Sequence, residues 1–230
     1  KGGIVEAWIR YMAGVNPQTA SALMRAIDQR MAEGMSHLHL MISSPGGSVF
    51  HGLSIHNFLR SVGIQVSTYN FGSVDSIGVV IFCAGSHRVC VPSSRFHIHG
   101  VKLNFRGELS FDEKALEEHL KLMATDYDNI AKVIADTTGQ SVKKVVADMN
   151  KQTSLMPTDA EKYGLVHEVR NQFVPAQAGM TVIYEDATSF SYQPPPRQSD
   201  LVSAEAVTGS ERGTTEGGIS MVTSRPIASS

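Results

Sequence analysis

Leu38-His39-Leu40-Met41-Ile42-Ser43-Ser44-Pro45-Gly46-Gly47-Ser48 is the stretch that decides the fold. Leu38, Leu40 and Ile42 alternate with other residues, the period of a β-strand. Ser44-Pro45-Gly46-Gly47 then forces a tight turn. From about Val49 to Leu59 the apolar residues Leu53, Ile55, Phe58 and Leu59 take up helical spacing. A strand thus runs through a glycine turn into a helix, the junction at which α/β proteins place ligands. Upstream, Asn16-Pro17 opens a helix, since Asn caps and Pro suits the first helical position. Ala20, Leu23, Met24, Ile27 and Met31 carry that helix until Gly34 ends it. Downstream, Gly63 breaks the second helix and Ile64 to Tyr69 reads as another strand. Phe71 to Asp75 reads as a turn, and Ile77 to Ala84 as a buried helix or strand. Arg88 to Val91 and Arg95 to Ile98 read as short strands around Pro92. This alternation with short connections predicts an α/β fold, with short apolar strands covered on both faces.

The second half of the chain has a different texture. Ser110-Phe111-Asp112-Glu113 reads as a capping box. Leu116, Leu120, Met123, Tyr127, Ile130 and Ile134 then form one apolar seam on a helix of about 25 residues closed near Gly139. So long a seam suits contact with another chain, or a place on its own domain. Val142 to Met149 reads as a short helix, Thr158 as the cap of another turn, and Leu165 to Val169 as a last strand. One domain over 1–175 is expected. Residues 176–230 read as a low-complexity, disordered tail, with Ala176 to Phe190 a loosely held lead-in.

Composition narrows the function. The chain has 230 residues, 42% hydrophobic and 18% charged, with Lys+Arg 20 against Asp+Glu 22. A net charge of −2 gives no reason to expect nucleic acid or an anionic membrane as partner. The longest apolar run, Ile77 to Ala84, is far too short to span a bilayer, and no secretory signal is read after Lys1. Cys83 and Cys90 sit in apolar surroundings, consistent with buried free thiols in a reducing, cytoplasmic setting. No Gly-rich phosphate loop with Lys-Ser/Thr occurs, so any ATP use has to come from a partner.

Acyl transfer by a serine needs a base, a group that orients the base, and N–H donors facing the developing oxyanion. Gly46-Gly47 supplies backbone unobstructed by side chains. Gly72-Ser73-Val74-Asp75-Ser76-Ile77-Gly78 places a serine where an apolar element begins, which alone is no more than a helix cap. Phe96-His97-Ile98-His99-Gly100 is a strand with two histidines on one face. A metal at that pair is disfavoured because neither carboxylate nor cysteine lies nearby in sequence; no metal and no cofactor are expected.

Ser44-Pro45-Gly46-Gly47-Ser48-Val49, the Asp75-Ser76-Ile77-Gly78 corner, the Arg95 to His99 strand, Thr138-Gly139-Gln140, and Ala160-Glu161-Lys162-Tyr163-Gly164-Leu165-Val166 together resemble the Clp protease proteolytic subunit, in that order. The resemblance covers about Arg10 to Val169. It implies the Clp/crotonase fold of repeated ββα units, with the long helix as a handle between stacked rings. It further implies Ser76 as nucleophile, His99 as general base, and the backbone of Gly47 and Ile77 as oxyanion donors. The partners implied are a peptide or unfolded protein substrate, a homo-oligomeric ring and an unfoldase ATPase. At the family's third catalytic position, an aspartate, ungapped counting from Tyr163 finds Gln152. Asp148, one helical turn upstream, is the other candidate for orienting His99; Asp75 carries little weight. The alternatives are a catalytically impaired Clp-like structural subunit, a signal-peptide-peptidase-like or phage-head-maturation-like peptidase, and a crotonase-type acyl-CoA enzyme.

Overall fold

The computed structural model describes residues 5–102 and 112–194. Strand β1 (Glu6–Met12) leads to helix α1 (Pro17–Ala32), β2 (His37–Ser44), α2 (Val49–Ser61), β3 (Gln65–Asp75) and α3 (Ile77–Phe82). Then come β4 (His87–Cys90), β5 (Arg95–Ile98), α4 (Glu113–Thr138), α5 (Val142–Lys151), β6 (Thr153–Leu155), α6 (Pro157–Tyr163), β7 (Glu168–Val169), β8 (Met180–Ile183) and β9 (Ser189–Tyr192). The expected α/β class holds. The nine strands form one sheet in the order β6-β5-β3-β2-β1-β8-β9, with β4 also paired to β3 and β7 to β4. Pairing is parallel except for β5–β6 and β8–β9. Ile9, Tyr11, Leu38, Leu40, Ile42, Ile77, Ile81 and Phe82 are the buried heart of the core.

Helix α1 starts as its sequence dictates. The Asn16 side chain accepts from the Thr19 N–H, Thr19 Oγ1 accepts from the Asn16 N–H, and Pro17 occupies the first turn. Helix α4 ends on Gly139 at φ 73°, the left-handed cap that glycine favours.

Four expectations need correction. Phe71 to Asp75 is the second half of β3, not a turn. Strand β3 forks: Ser67 to Asn70 pair with β4, whereas Ser73 to Asp75 pair with β5. The bend lies at Asn70, whose side chain accepts from the Gly72 N–H and donates to the Arg95 carbonyl. Second, Asp112 caps α4 by accepting from the Ala115 N–H; Ser110 and Phe111 of the expected capping box lie outside the described residues. Third, Met156 rather than Thr158 precedes α6. Fourth, the chain does not leave the fold at 175. Met180 to Ile183 is wholly buried, pairs in parallel with β1 and is covered by β9. Glu185, just beyond β8, reaches back to accept from the Gly14 N–H at 2.6 Å. Strand β1 itself is buried at Trp8, Ile9 and Tyr11, and that burial on both faces erases the alternation that would have announced it.

Candidate active site

The bend in β3 delivers Asp75-Ser76-Ile77 to the glycine turn after β2. Ser76 sits at φ 59°, ψ −130°, a conformation rare for a side-chain-bearing residue. Its N–H is tied to the His97 carbonyl at 2.8 Å, which pins the corner to β5. Such a strained serine is held only because its surroundings over-determine it. Gly46 and Gly47 (φ 89° and 145°) leave the room. A Cβ on Gly46 would lie 2.5 Å from Ser76 Cβ, and one on Gly47 would collide with the Val15 carbonyl. Val15 holds the turn from behind: its N–H donates to the Gly46 carbonyl at 2.7 Å and its carbonyl accepts from the Ser48 N–H at 2.8 Å.

Pro45, Gly47, Val49, Ser76, Ile77 and His99 line one cleft of about 220 Å³, with Ile130 of α4 on its wall. All four residues expected to do the chemistry, Gly47, Ser76, Ile77 and His99, therefore share a cavity. No hydrogen bond joins Ser76 to His99 in this state. Such bonds are often long without substrate.

The two candidate orienters fare differently. Asp148 is buried in α5 and bound by Lys144 Nζ (2.6 Å to Oδ1) and the Tyr163 hydroxyl (2.8 Å to Oδ2). The burial of the Tyr163 phenol, and secondarily the Asp148 carboxylate, pushes the Tyr163 pKa well up, so the hydroxyl stays a donor. Gln152 caps α5 in the left-handed region (φ 53°) and is exposed. Strands β5 and β6 pair Phe96 with Leu155, His97 with Ser154 and Ile98 with Thr153. The ladder ends there, and Gln152, the next residue back, has already left the strand for the left-handed cap of α5. No hydrogen bond joins the side chains of His99 and Gln152.

What His99 does bond is the Gly100 carbonyl, through Nδ1 at 2.7 Å. A carbonyl only accepts, so the neutral ring carries its proton on Nδ1 and leaves Nε2 as the basic nitrogen. Tyr127 of α4 presses on this peptide: a Cβ on Gly100 would lie 2.9 Å from the tyrosine ring. The Tyr127 hydroxyl in turn donates to Asn150 Oδ1 at 2.8 Å. Neither group stood out in the sequence. A backbone carbonyl has no sequence signature, and Tyr127 read as one more residue of an apolar seam. His97 stands on the same face, its ring centre 5.4 Å from that of His99, with its Nδ1 engaged by Ser154 Oγ at 2.9 Å. Asp75 is held by Arg95 and Ser73 at 2.9 and 2.8 Å.

A mixed sheet forked at β3, a serine just past the end of that strand and a long helix near the adjacent histidine make up the α/β architecture expected from the resemblance to Clp proteases. The comparisons agree: the family model of Clp protease matches residues 5–173, and the chain belongs to that family. A mutant of ClpP1 from Listeria monocytogenes has the same fold, with a TM-score of 0.65 and 23% identity over 72% of this chain and 91% of that one. The β8–β9 hairpin lies beyond the matched residues. Among the described residues no helix is long and apolar enough to cross a membrane.

Proposed function

We propose that the protein is a serine endopeptidase in which Ser76 attacks the peptide carbonyl and His99 Nε2 takes the hydroxyl proton. The same proton then passes to the leaving amine, and water repeats the cycle on the acyl-enzyme. Backbone N–H groups of Gly47 and Ile77 receive the oxyanion; Ile77 begins a helix, where N–H groups have no intrahelical partner. The observation that carries this reading is the strained Ser76 in one cleft with a His99 whose Nδ1 proton is already committed to a carbonyl. The Gly100 carbonyl does for the tautomer what a carboxylate does elsewhere. It lacks the full negative charge that stabilises imidazolium, so turnover is slower than with an aspartate. In the serine-protease precedent, exchanging the charge for an amide costs about 10⁴ in kcat, largely through the wrong tautomer. Here the tautomer is correct, and the penalty is smaller.

The substrate class is peptide or unfolded protein. Exposed Leu116, Leu120 and Leu122 on α4 suit packing against a second copy, in keeping with a ring, to which an unfoldase ATPase would feed substrate. The second reading is a Clp-like subunit that assembles without hydrolysing, favoured by the uncharged Gln152 at the position where counting from Tyr163 expects the family's aspartate. Intact-mass detection of a fluorophosphonate adduct separates the two. Wild type is expected to label, Ser76→Ala not at all, and Gln152→Asp faster than wild type. A wild-type chain that stays unlabelled while Gln152→Asp labels makes the non-hydrolysing subunit correct. Acyl-CoA turnover surviving Ser76→Ala would make the chain a crotonase-type enzyme instead.

A further inference from the structure

At the far end of β2 from the cleft, the sheet carries a second cluster of chemistry-bearing groups. Glu6 on β1 is in register with His37 on β2, and His39 follows two residues on, so both rings stand on the same face. One ligand atom from each of Glu6, His37 and His39 lies within 4.8 Å of the others. We propose that these three side chains form a binding site for a divalent d-block cation, Zn²⁺ in the first instance, with a fourth position open to water.

The argument starts from an unsatisfied atom. His39 is 7% exposed, and its Nε2 is buried with no hydrogen-bond partner. Its Nδ1 is engaged by the Tyr69 hydroxyl at 2.8 Å, and Trp8 stacks on the ring at 4.1 Å and 6°. The ring is therefore fixed, with Nε2 facing Glu6 Oε2 at 3.6 Å. The Tyr69 hydroxyl can donate to Nδ1 or accept from it; with the ring proton on Nδ1, the Nε2 lone pair faces a carboxylate oxygen 3.6 Å away. Two acceptors so placed are unfavourable unless a cation lies between.

The spacing suits a metal ion. Ligand bonds of about 2.0–2.1 Å at a tetrahedral angle separate nitrogen and oxygen by roughly 3.3 Å, close to the distance found. Two imidazoles and a carboxylate with an open position are a familiar zinc ligand set. Each ring also has the outer hydrogen bond that metal-binding histidines use to fix orientation: Tyr69 for His39, and Ser67 Oγ at 2.9 Å for His37. The neighbouring positive groups are partly offset, since Glu168 lies 3.5 Å from Arg170 Nε and 3.8 Å from His87 Nε2. The ligands come from two strands and are 31 residues apart in sequence, so no linear motif announces them. The site is independent of the peptidase reading, for no residue of the cleft takes part.

The test is a Co²⁺ titration of the EDTA-treated full chain, followed by visible absorption and displaced with Zn²⁺. One equivalent of Co²⁺ is expected to give the ligand-field bands of a low-coordinate site, bleached by one equivalent of Zn²⁺. Glu6→Ala and His37→Ala leave buried His39 in place and preserve the fold, checked by circular dichroism. Each is expected to weaken Co²⁺ binding by more than about 100-fold, beyond what losing an outer hydrogen bond costs. Absence of the bands at one equivalent, or an affinity that neither variant changes, overturns the proposal. In either case the Nε2–carboxylate gap is bridged by a proton.

Discussion

Gly46 and Ser76 meet so closely that the glycine is a condition of the serine's conformation. Gly46→Ala places a methyl 2.5 Å from Ser76 Cβ and 2.9 Å from the Asp75 carbonyl, on a backbone at φ 89° that alanine avoids. The expected cost is about 1–3 kcal/mol in a denaturant titration, with fluorophosphonate labelling lost because the corner must move. Asp148→Asn tests the other residue considered for the orienter. Its carboxylate answers Lys144 and Tyr163 inside the core, so the substitution is expected to lower stability by about 1–3 kcal/mol. The labelling rate of the folded protein should hold; a loss comparable to that of Ser76→Ala would make Asp148 part of the proton path. Cys83 offers a third check. Burial pushes its thiol up to about 11, against the smaller opposing effects of Thr137 and Arg88, so it should resist thiol reagents at neutral pH until the protein unfolds. Ser76 and His99 were legible as candidates because several motifs in one order carry them, no motif being decisive alone. The partner of His99 was not, because side-chain spacing says nothing about a backbone carbonyl or about the side chains that have already claimed Asp148.

Helix α4 shows what periodicity can and cannot tell. The seam from Leu116 to Ile134 was plain, and so was the glycine that ends it. Which part of the seam meets this domain was not. Only the C-terminal half is buried, through Ile130, Ala131, Ile134 and Ala135, while Leu116 and Leu120 remain 46% and 49% exposed. One continuous stripe thus serves two neighbours: its own core at one end, and at the other, in the reading proposed above, a second copy. Leu116→Asp with Leu120→Asp is expected to leave the helical signal intact and shift the protein to smaller species in size-exclusion chromatography. An unchanged elution volume would remove this face from the assembly. Strands were harder to read than helices for a related reason. Phe71-Gly72-Ser73 has turn composition, yet the strand runs on through it because Ser73 to Asp75 pair with β5. Met180 to Ile183, flanked by Gly179 and by the polar stretch from Glu185 to Ser189, acquires its strand character from the free edge of β1.

Across the whole molecule, buried polar groups tie helices to the sheet, and these ties make stability depend on pH. Arg88 is 7% exposed and donates to the carbonyls of Leu165 and Gly85 at 2.8 and 3.0 Å, and of Gly164 at 3.3 Å. It joins the end of α3 to the cap of α6 with no carboxylate partner among the described residues. His56 on α2 makes an analogous tie, donating Nδ1–H to the Val80 carbonyl of α3 at 2.8 Å. Burial holds its pKa below the usual 6.5; the Val80 hydrogen bond opposes that shift and Arg60 adds to it. The unfolded chain, with a histidine near 6.5, therefore binds a proton more readily than the folded one. Stability contributed by neutral His56 is complete above pH 6.5. It falls as the pH drops below that value, and levels off once the folded-state pKa has been passed. Urea midpoints measured downward from pH 7 should decline on this account, and His56→Gln, which keeps a donor without a titrating ring, should flatten the decline even if it lowers stability at pH 7. Equal slopes in the two proteins would assign the acid sensitivity to other groups, with His167, whose pKa is lowered by partial desolvation and then by Arg88 and His87, the next to replace. The tie extends to the cleft, because α3 begins at Ile77, but acid does not break it. The added proton goes to Nε2 and leaves the Nδ1–H bond to Val80 in place. Acid therefore acts through the cost of burying charge, and Ser76 labelling of the still-folded protein should have the same pH dependence in wild type and in His56→Gln.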